Sequence, residues 1–167
     1  MNKKKVIIFD RDNTLIEDKG YTYKIKDLKF LPEVVKSLSF LSKKKIKIYI
    51  VTNQSGIAKG IYKKKDMFQF HKKMNSILKT HNSKIEKFYY CPHHIKGIVK
   101  KYKKKCKCRK PQKMLLDKIK NKNINAKLLM IGDKMTDKIA AQKAKINFFY
   151  KKKNFFSQIK YLVSNFF

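Results

Sequence analysis

Two rhythms alternate along the chain. Short apolar runs at Val6–Phe9, Ile46–Val51, Phe88–Tyr90, Leu128–Ile131 and Ile146–Tyr150 predict five strands. Between them, apolar residues recur at three- to four-residue spacing. Val34, Val35, Leu38 and Leu41 do so after Pro32, and Met67, Phe70, Met74, Ile77 and Leu78 follow the same pattern. Met114, Leu115 and Ile119 begin another such stretch, and Ile139, Ala140 and Ala144 form a short one. Phe155, Phe156, Ile159, Leu162, Val163 and Phe166 make the last. This spacing predicts amphipathic helices, with Pro32 opening the first and the last one docking its stripe on the core. Strands that alternate with helices imply right-handed crossovers and a parallel sheet, an α/β fold of Rossmann-like type. Ligands of such sheets sit at the carboxyl ends of the strands. Here those ends carry Asp10, Thr52, Cys91 and Asp133. There is no internal repeat and no linker-like segment, so residues 1–167 are expected to form a single domain.

Composition narrows the classes. Apolar residues make up 43% of the chain, enough for a packed core. The apolar runs are too short to cross a bilayer, and Met1–Phe9 lacks the long apolar stretch of a signal peptide. Three cysteines do not make a disulfide scaffold, so a reducing, cytoplasmic setting is expected. A formal charge of +33 would ordinarily suggest a polyanion partner. Yet arginine occurs only at Arg11 and Arg109, and the lysines recur as dispersed triplets from Lys3–Lys5 to Lys151–Lys153. With Asn, Ile, Phe and Tyr plentiful and Gly, Pro and Ala scarce, this is the residue usage of an AT-rich genome. Solvated lysines explain the charge better than a nucleic-acid face.

The residues that resist this bias carry the chemistry. Asp10-Arg11-Asp12-Asn13-Thr14 follows the first strand directly. Two carboxylates two positions apart at a strand end can converge on one pocket, one as nucleophile and one as proton donor. Two anions facing a phosphate require a hard divalent cation, for which Mg²⁺ is suited, and Asp133 is the natural further ligand. In the loop over residues 91–108, Cys91-x-His93 and Cys106-x-Cys108 are separated by twelve residues and offer four ligands. That number suits a closed tetrahedral Zn²⁺ site, although the pairs are tighter than the common C-x₂-C spacing and His94 could replace His93.

Asp10-x-Asp12-x-Thr14, Thr52, Lys110 and Gly132-Asp133 resemble, in order, the four signature motifs of the haloacid dehalogenase (HAD) phosphatases. Within that superfamily the chain looks most like the small heptose bisphosphate phosphatases. The strings Asp18-Lys-Gly-Tyr21, Thr52-Asn-Gln-Ser-Gly-Ile-Ala-Lys-Gly60, Tyr90-Cys-Pro-His-His94 and Cys106-Lys-Cys-Arg-Lys-Pro111 carry this. One departure is Asn13, where these enzymes usually have glycine. Asparagine adopts positive φ more readily than most residues. The resemblance implies a HAD-like sheet without a large cap domain and a loop stapled by structural zinc on Cys91, His93, Cys106 and Cys108. It implies that Asp10 forms an aspartyl-phosphate and that Asp12 serves as acid and then base. Thr52 and Lys110 would hold the phosphoryl oxygens, and Asp10, Asp133 and the Asp12 carbonyl would hold Mg²⁺. Arg109 and Lys134 would meet substrate anions, while Asp18, Lys19, Gly20, Tyr21, Asn53, Gln54 and Ser55 would contact the sugar.

The implied substrate is a phosphorylated sugar, the pathway lipopolysaccharide core synthesis, and the enzyme a monomer. No specific nucleic acid and no membrane is expected as partner. The rival within the superfamily is a histidinol-phosphate phosphatase, which usually carries Asp at the position of Ser55. The remote alternative is a zinc-stapled basic protein that binds nucleic acid, which would need its cations on one face and aromatics placed for stacking.

Overall fold

β1 (Lys5–Phe9) pairs in parallel with two strands far away in sequence, β2 (Lys47–Asn53) and β4 (Lys127–Gly132). β3 (Lys87–Cys91) adds beyond β2, and β5 (Asn147–Tyr150) beyond β4. The order β3-β2-β1-β4-β5 makes a five-stranded, wholly parallel sheet with its first strand in the middle. The computed structural model describes residues 3–167. All five strands predicted from the apolar runs are present, each within a residue or two of its expected position.

The alternation of side chains along the central strands splits the core in two. Ile7 and Phe9 face a layer formed by α1 (Val34–Lys43), α2 (Lys64–Thr80) and α5 (Phe155–Phe166). Val6 and Ile8 face α3 (Met114–Lys122) and α4 (Met135–Lys143), together with Cys91 and Cys108. A parallel sheet covered on both faces needs apolar residues on both, and residues 6–9 are fully buried. α5 docks its apolar stripe as expected. Phe155, Ile159 and Leu162 are buried, and the Phe155 ring meets Phe9 edge-on at a centroid distance of 6.1 Å.

Two segments shape the carboxyl edge. Residues 10–33 hold a single 3₁₀ turn (Ile25–Asp27) and fold back over the strand ends. Residues 92–113 form the irregular cysteine-bearing loop, with a 3₁₀ turn at Lys100–Tyr102. Asn13 has φ 58°, the left-handed conformation that its side chain tolerates. None of the helices among the described residues is long and apolar enough to cross a membrane.

Because Phe155 fills the layer under β1, Phe155→Ala should destabilise the protein by about 3–5 kcal/mol. Urea unfolding would show this as a lower midpoint with an unchanged slope. A shift below ~1 kcal/mol would mean that α5 is not part of the cooperative core.

Candidate active site and metal centre

The carboxyl ends of β1, β2 and β4 open into a cavity of about 470 Å³. Its lining includes Asp10, Asp12, Thr52, Gln54, Arg109 and Lys110. Asp10 begins where β1 leaves the sheet, and its backbone N–H still donates to Ile131 at 3.0 Å, continuing the strand geometry. Its Oδ1 accepts from Lys110 Nζ at 2.8 Å. The same ammonium lies 2.6 Å from Asp137 Oδ1 and donates to the Val51 carbonyl at 2.9 Å. Lys110 is 3% exposed. Burial alone would favour neutral lysine, but the charges of Asp10 and Asp137 outweigh it and hold the pKa above the ordinary value.

Asp12 points the other way. Its Oδ1 accepts from Arg11 Nε and Nη2 at 2.9 and 2.7 Å. Its Oδ2 accepts from Gln54 Nε2 at 2.9 Å and from Thr52 Oγ1 at 3.3 Å. Burial raises the Asp12 pKa, Arg11 opposes the shift, and Asp10 adds to it. A carboxyl that holds its proton more readily than a free one is suited to deliver that proton to a leaving oxygen.

Asp10, Asp133 and Asp137 place carboxylate oxygens within 4.8 Å of one another. Such hard oxygen donors fit Mg²⁺. Burial and then the neighbouring Asp10 charge push the Asp133 carboxyl up to about 6. Asp137 was not singled out from the sequence, where an acid four residues after Asp133 reads as a helix-start residue. It is that as well: Asp137 Oδ2 accepts from the Lys134 N–H at 3.1 Å at the start of α4. The approach is so close that a Cβ on Gly132 would lie 2.5 Å from Asp137 Oδ2, so only glycine fits there.

The second cluster joins Cys91, His93, Cys106 and Cys108. All three cysteines are free thiols. Sulfur–sulfur separations are 2.9 Å (Cys91–Cys108), 3.4 Å (Cys106–Cys108) and 3.5 Å (Cys91–Cys106). His93 Nδ1 lies 3.2 Å from Cys108 Sγ and 3.7 Å from Cys91 Sγ. A tetrahedron with metal–sulfur bonds of about 2.3 Å has sulfur–sulfur edges of about 3.8 Å, so a small expansion would seat a zinc-sized ion. The close Cys91–Cys108 contact splits the two thiols, with Cys108 lowered to about 5 and Cys91 raised. His94 is outside the cluster: its Nδ1 accepts from the Lys96 N–H.

The loop is tied to the cavity at two points. Arg109 Nη1 donates to the His93 carbonyl at 3.4 Å. Asn53 clasps the Lys110 backbone, donating to its carbonyl at 3.1 Å and accepting from its N–H at 3.0 Å.

Of the residues expected to touch sugar, Asp18, Gly20, Tyr21, Asn53 and Ser55 line the cavity, as does Lys134. Lys19 does not line it and is exposed. Gln54 lines it but is 2% exposed, with its amide committed to Asp12, Thr52 and Tyr62. Lys59 donates to the Tyr21 hydroxyl at the rim.

A parallel sheet of this order, with its cavity at the carboxyl edge, is the HAD-like fold expected from the sequence. A family model described as "Polynucleotide kinase 3 phosphatase" matches residues 5–161. The D-glycero-beta-D-manno-heptose-1,7-bisphosphate 7-phosphatase of Photorhabdus laumondii is 40% identical over 84% of this chain and 76% of its own length. The enzyme of that name from Haemophilus influenzae is 40% identical over 85% and 78%. The crystal structure of a D,D-heptose 1,7-bisphosphate phosphatase from B. bronchiseptica, complexed with magnesium and phosphate, shares the fold. It has a TM-score of 0.82 at 20% identity and covers 96% of this chain and 98% of that one. The chain belongs to the heptose-1,7-bisphosphate 7-phosphatase family, and is a phosphoric monoester hydrolase.

Asp137→Ala removes one partner of a buried ammonium and the acceptor at the start of α4. It should cost about 2–4 kcal/mol. Thermal unfolding without added divalent cation would show it, and an unchanged midpoint would mean that Lys110 is adequately held without Asp137.

Proposed function

We propose that the protein removes the 7-phosphate of D-glycero-D-manno-heptose 1,7-bisphosphate, leaving a heptose 1-phosphate for lipopolysaccharide core synthesis. The observation that carries this reading is the convergence of Asp10, Asp12, Lys110 and Thr52 on one cavity, in a chain 40% identical to enzymes of that name. On this reading the protein is a cytoplasmic, single-domain monomer.

The Asp10 carboxylate attacks phosphorus as the bond to the sugar oxygen breaks, and Asp12 gives its proton to that oxygen. Asp12, now a carboxylate, takes a proton from water. The water oxygen then attacks the aspartyl-phosphate, releasing inorganic phosphate and restoring Asp10. Lys110 fixes one Asp10 oxygen, which leaves the other to face the phosphorus. Thr52 and Lys110 would meet the phosphoryl oxygens as charge shifts by exchanging a protein contact for the substrate, Thr52 its bond to Asp12 and Lys110 one of its three to Asp10, Asp137 and the Val51 carbonyl. Mg²⁺, held by Asp10, Asp133 and the Asp12 carbonyl, would neutralise phosphoryl charge beside the carboxylates. Asp18, Gly20, Tyr21, Asn53 and Ser55 are placed along the cavity to meet the sugar.

Arg109 is the cation best placed for the second phosphate, since it lines the cavity and is supported by the cysteine loop. Around it the rim is basic. Local burial and then the charges of Arg109, Lys59 and Lys96 lower the His94 pKa. An ammonium-bearing substrate such as histidinol phosphate would meet like charge there.

Phosphate release over a panel of phosphorylated sugars and histidinol phosphate, with Mg²⁺, tests the reading. Heptose bisphosphate should be preferred by about a hundredfold or more in kcat/KM. Asp10→Asn should abolish turnover by several orders of magnitude while the protein stays folded. Equal or faster hydrolysis of histidinol phosphate would overturn the substrate assignment and leave the chemistry standing.

Zinc on the cysteine cluster is a separate expectation. Metal analysis of purified protein should find near one zinc per chain, and Cys106→Ser should lower that content and raise KM through Arg109. Wild-type protein free of zinc would refute it.

A further inference from the structure

Each Asp12 oxygen sits at the end of a relay that starts at a buried residue, Tyr62 on one side and His71 on the other. On one side the Tyr62 hydroxyl donates to Gln54 Oε1 at 2.6 Å, and Gln54 Nε2 donates on to Asp12 Oδ2 at 2.9 Å. On the other, Arg11 Nη1 meets His71 Nε2 at 3.2 Å, while Arg11 Nε and Nη2 grip Asp12 Oδ1. Tyr62 and His71 are 6% and 4% exposed.

The direction of each relay depends on its far end. An amide can sit either way round. Gln54 Oε1 takes the tyrosine proton, which directs its NH₂ to the carboxylate and to Thr52 Oγ1 at 2.8 Å. Loss of that hydroxyl would leave the buried Oε1 without its donor and loosen the hold on the amide that faces Asp12. His71 is kept neutral by burial and by the Arg11 charge, so its Nε2 is free to accept. That acceptor aligns the guanidinium plane, with the Nη2–Thr22 carbonyl bond at 3.0 Å and the Phe70 ring 4.9 Å below.

Both anchors are themselves wedged. The Tyr62 ring stacks on Tyr23 at 4.7 Å, and a Cβ on Gly56 would come within 2.2 Å of it. The His71 ring stacks on Phe88 at 4.1 Å.

We propose that Tyr62 and His71 are positioning residues that set the Asp12 carboxyl for proton transfer, Tyr62 by orienting the Gln54 amide and His71 by orienting the Arg11 guanidinium. The inference rests on Asp12 being the proton donor. It predicts an effect that depends on the leaving group. A sugar oxygen needs the proton as it departs, whereas p-nitrophenolate leaves without one.

Single-turnover release of the leaving group should be compared for heptose bisphosphate and p-nitrophenyl phosphate. Tyr62→Phe and His71→Phe should slow the sugar substrate about tenfold, part of what a general acid supplies. With p-nitrophenyl phosphate the loss should stay under about twofold, and KM should hardly move. His71→Gln, which can return an acceptor near the Nε2 position, should recover most of the rate. Equal losses on both substrates, or no loss on either, would overturn the proposal. If Tyr62→Phe proves too unstable to assay, the contrast between His71→Phe and His71→Gln decides alone. Wild-type protein that hydrolyses no alkyl phosphate would remove the functional reading and this inference together. Normal wild-type turnover with equal losses in the variants would remove only the inference.

Discussion

A single buried ammonium holds the carboxyl edge together. Lys110 reaches from the cysteine loop to Asp10 at the end of β1, to Asp137 in α4 and to the Val51 carbonyl in β2. Four separate stretches of chain thereby meet at one atom. Such a charge is tolerated in the interior only because two carboxylates and a carbonyl replace its lost water. The dependence runs both ways, since two carboxylates packed this closely would repel without it. The cysteine loop then becomes part of the same unit. Its last clustered cysteine, Cys108, stands two positions before Lys110, and the Asn53 side chain clamps the Lys110 backbone to β2.

Much of this was legible in the sequence, for identifiable reasons. Asp10, Thr52 and Asp133 stand where apolar runs stop, and a parallel sheet gathers such positions at one edge. Lys110 is different. It lies in a lysine-rich loop, and only the resemblance of Cys106–Pro111 to a family motif set it apart. Arg11, Tyr62, His71 and Asp137 were missed as structural partners, because each depends on side-chain direction rather than on spacing. An acid at a helix start reads as a cap, and a histidine on an apolar helix face reads as core. Gln54 lines the cavity but is held by the protein itself. It was expected to touch the sugar with its neighbours, yet its amide is occupied by protein groups on both sides.

The same distinction explains how a chain so dominated by lysine can keep a defined site. Lys110 is buried, while most of the other lysines are exposed or half-buried and take no part in the polar network around Asp12. That network joins Tyr62 to Arg11, Gln54 and His71, three residue types that the composition does not favour. A drift in residue usage can therefore alter much of the outside of the molecule while the interior hydrogen bonds constrain what replaces them.

The sheet order has a consequence for synthesis. β1 is made first but sits in the middle, so Asp10 has no neighbour on one side until β4 arrives more than a hundred residues later. Its backbone bond to Ile131, its contact with Lys110 and the companion carboxylates Asp133 and Asp137 all come from the later part of the chain. A ribosome-bound fragment that stops short of α4 carries Asp10 and Asp12 without the Lys134–Asp137 side of the cavity. The cavity is therefore completed late in translation, once the chain has closed over its own beginning.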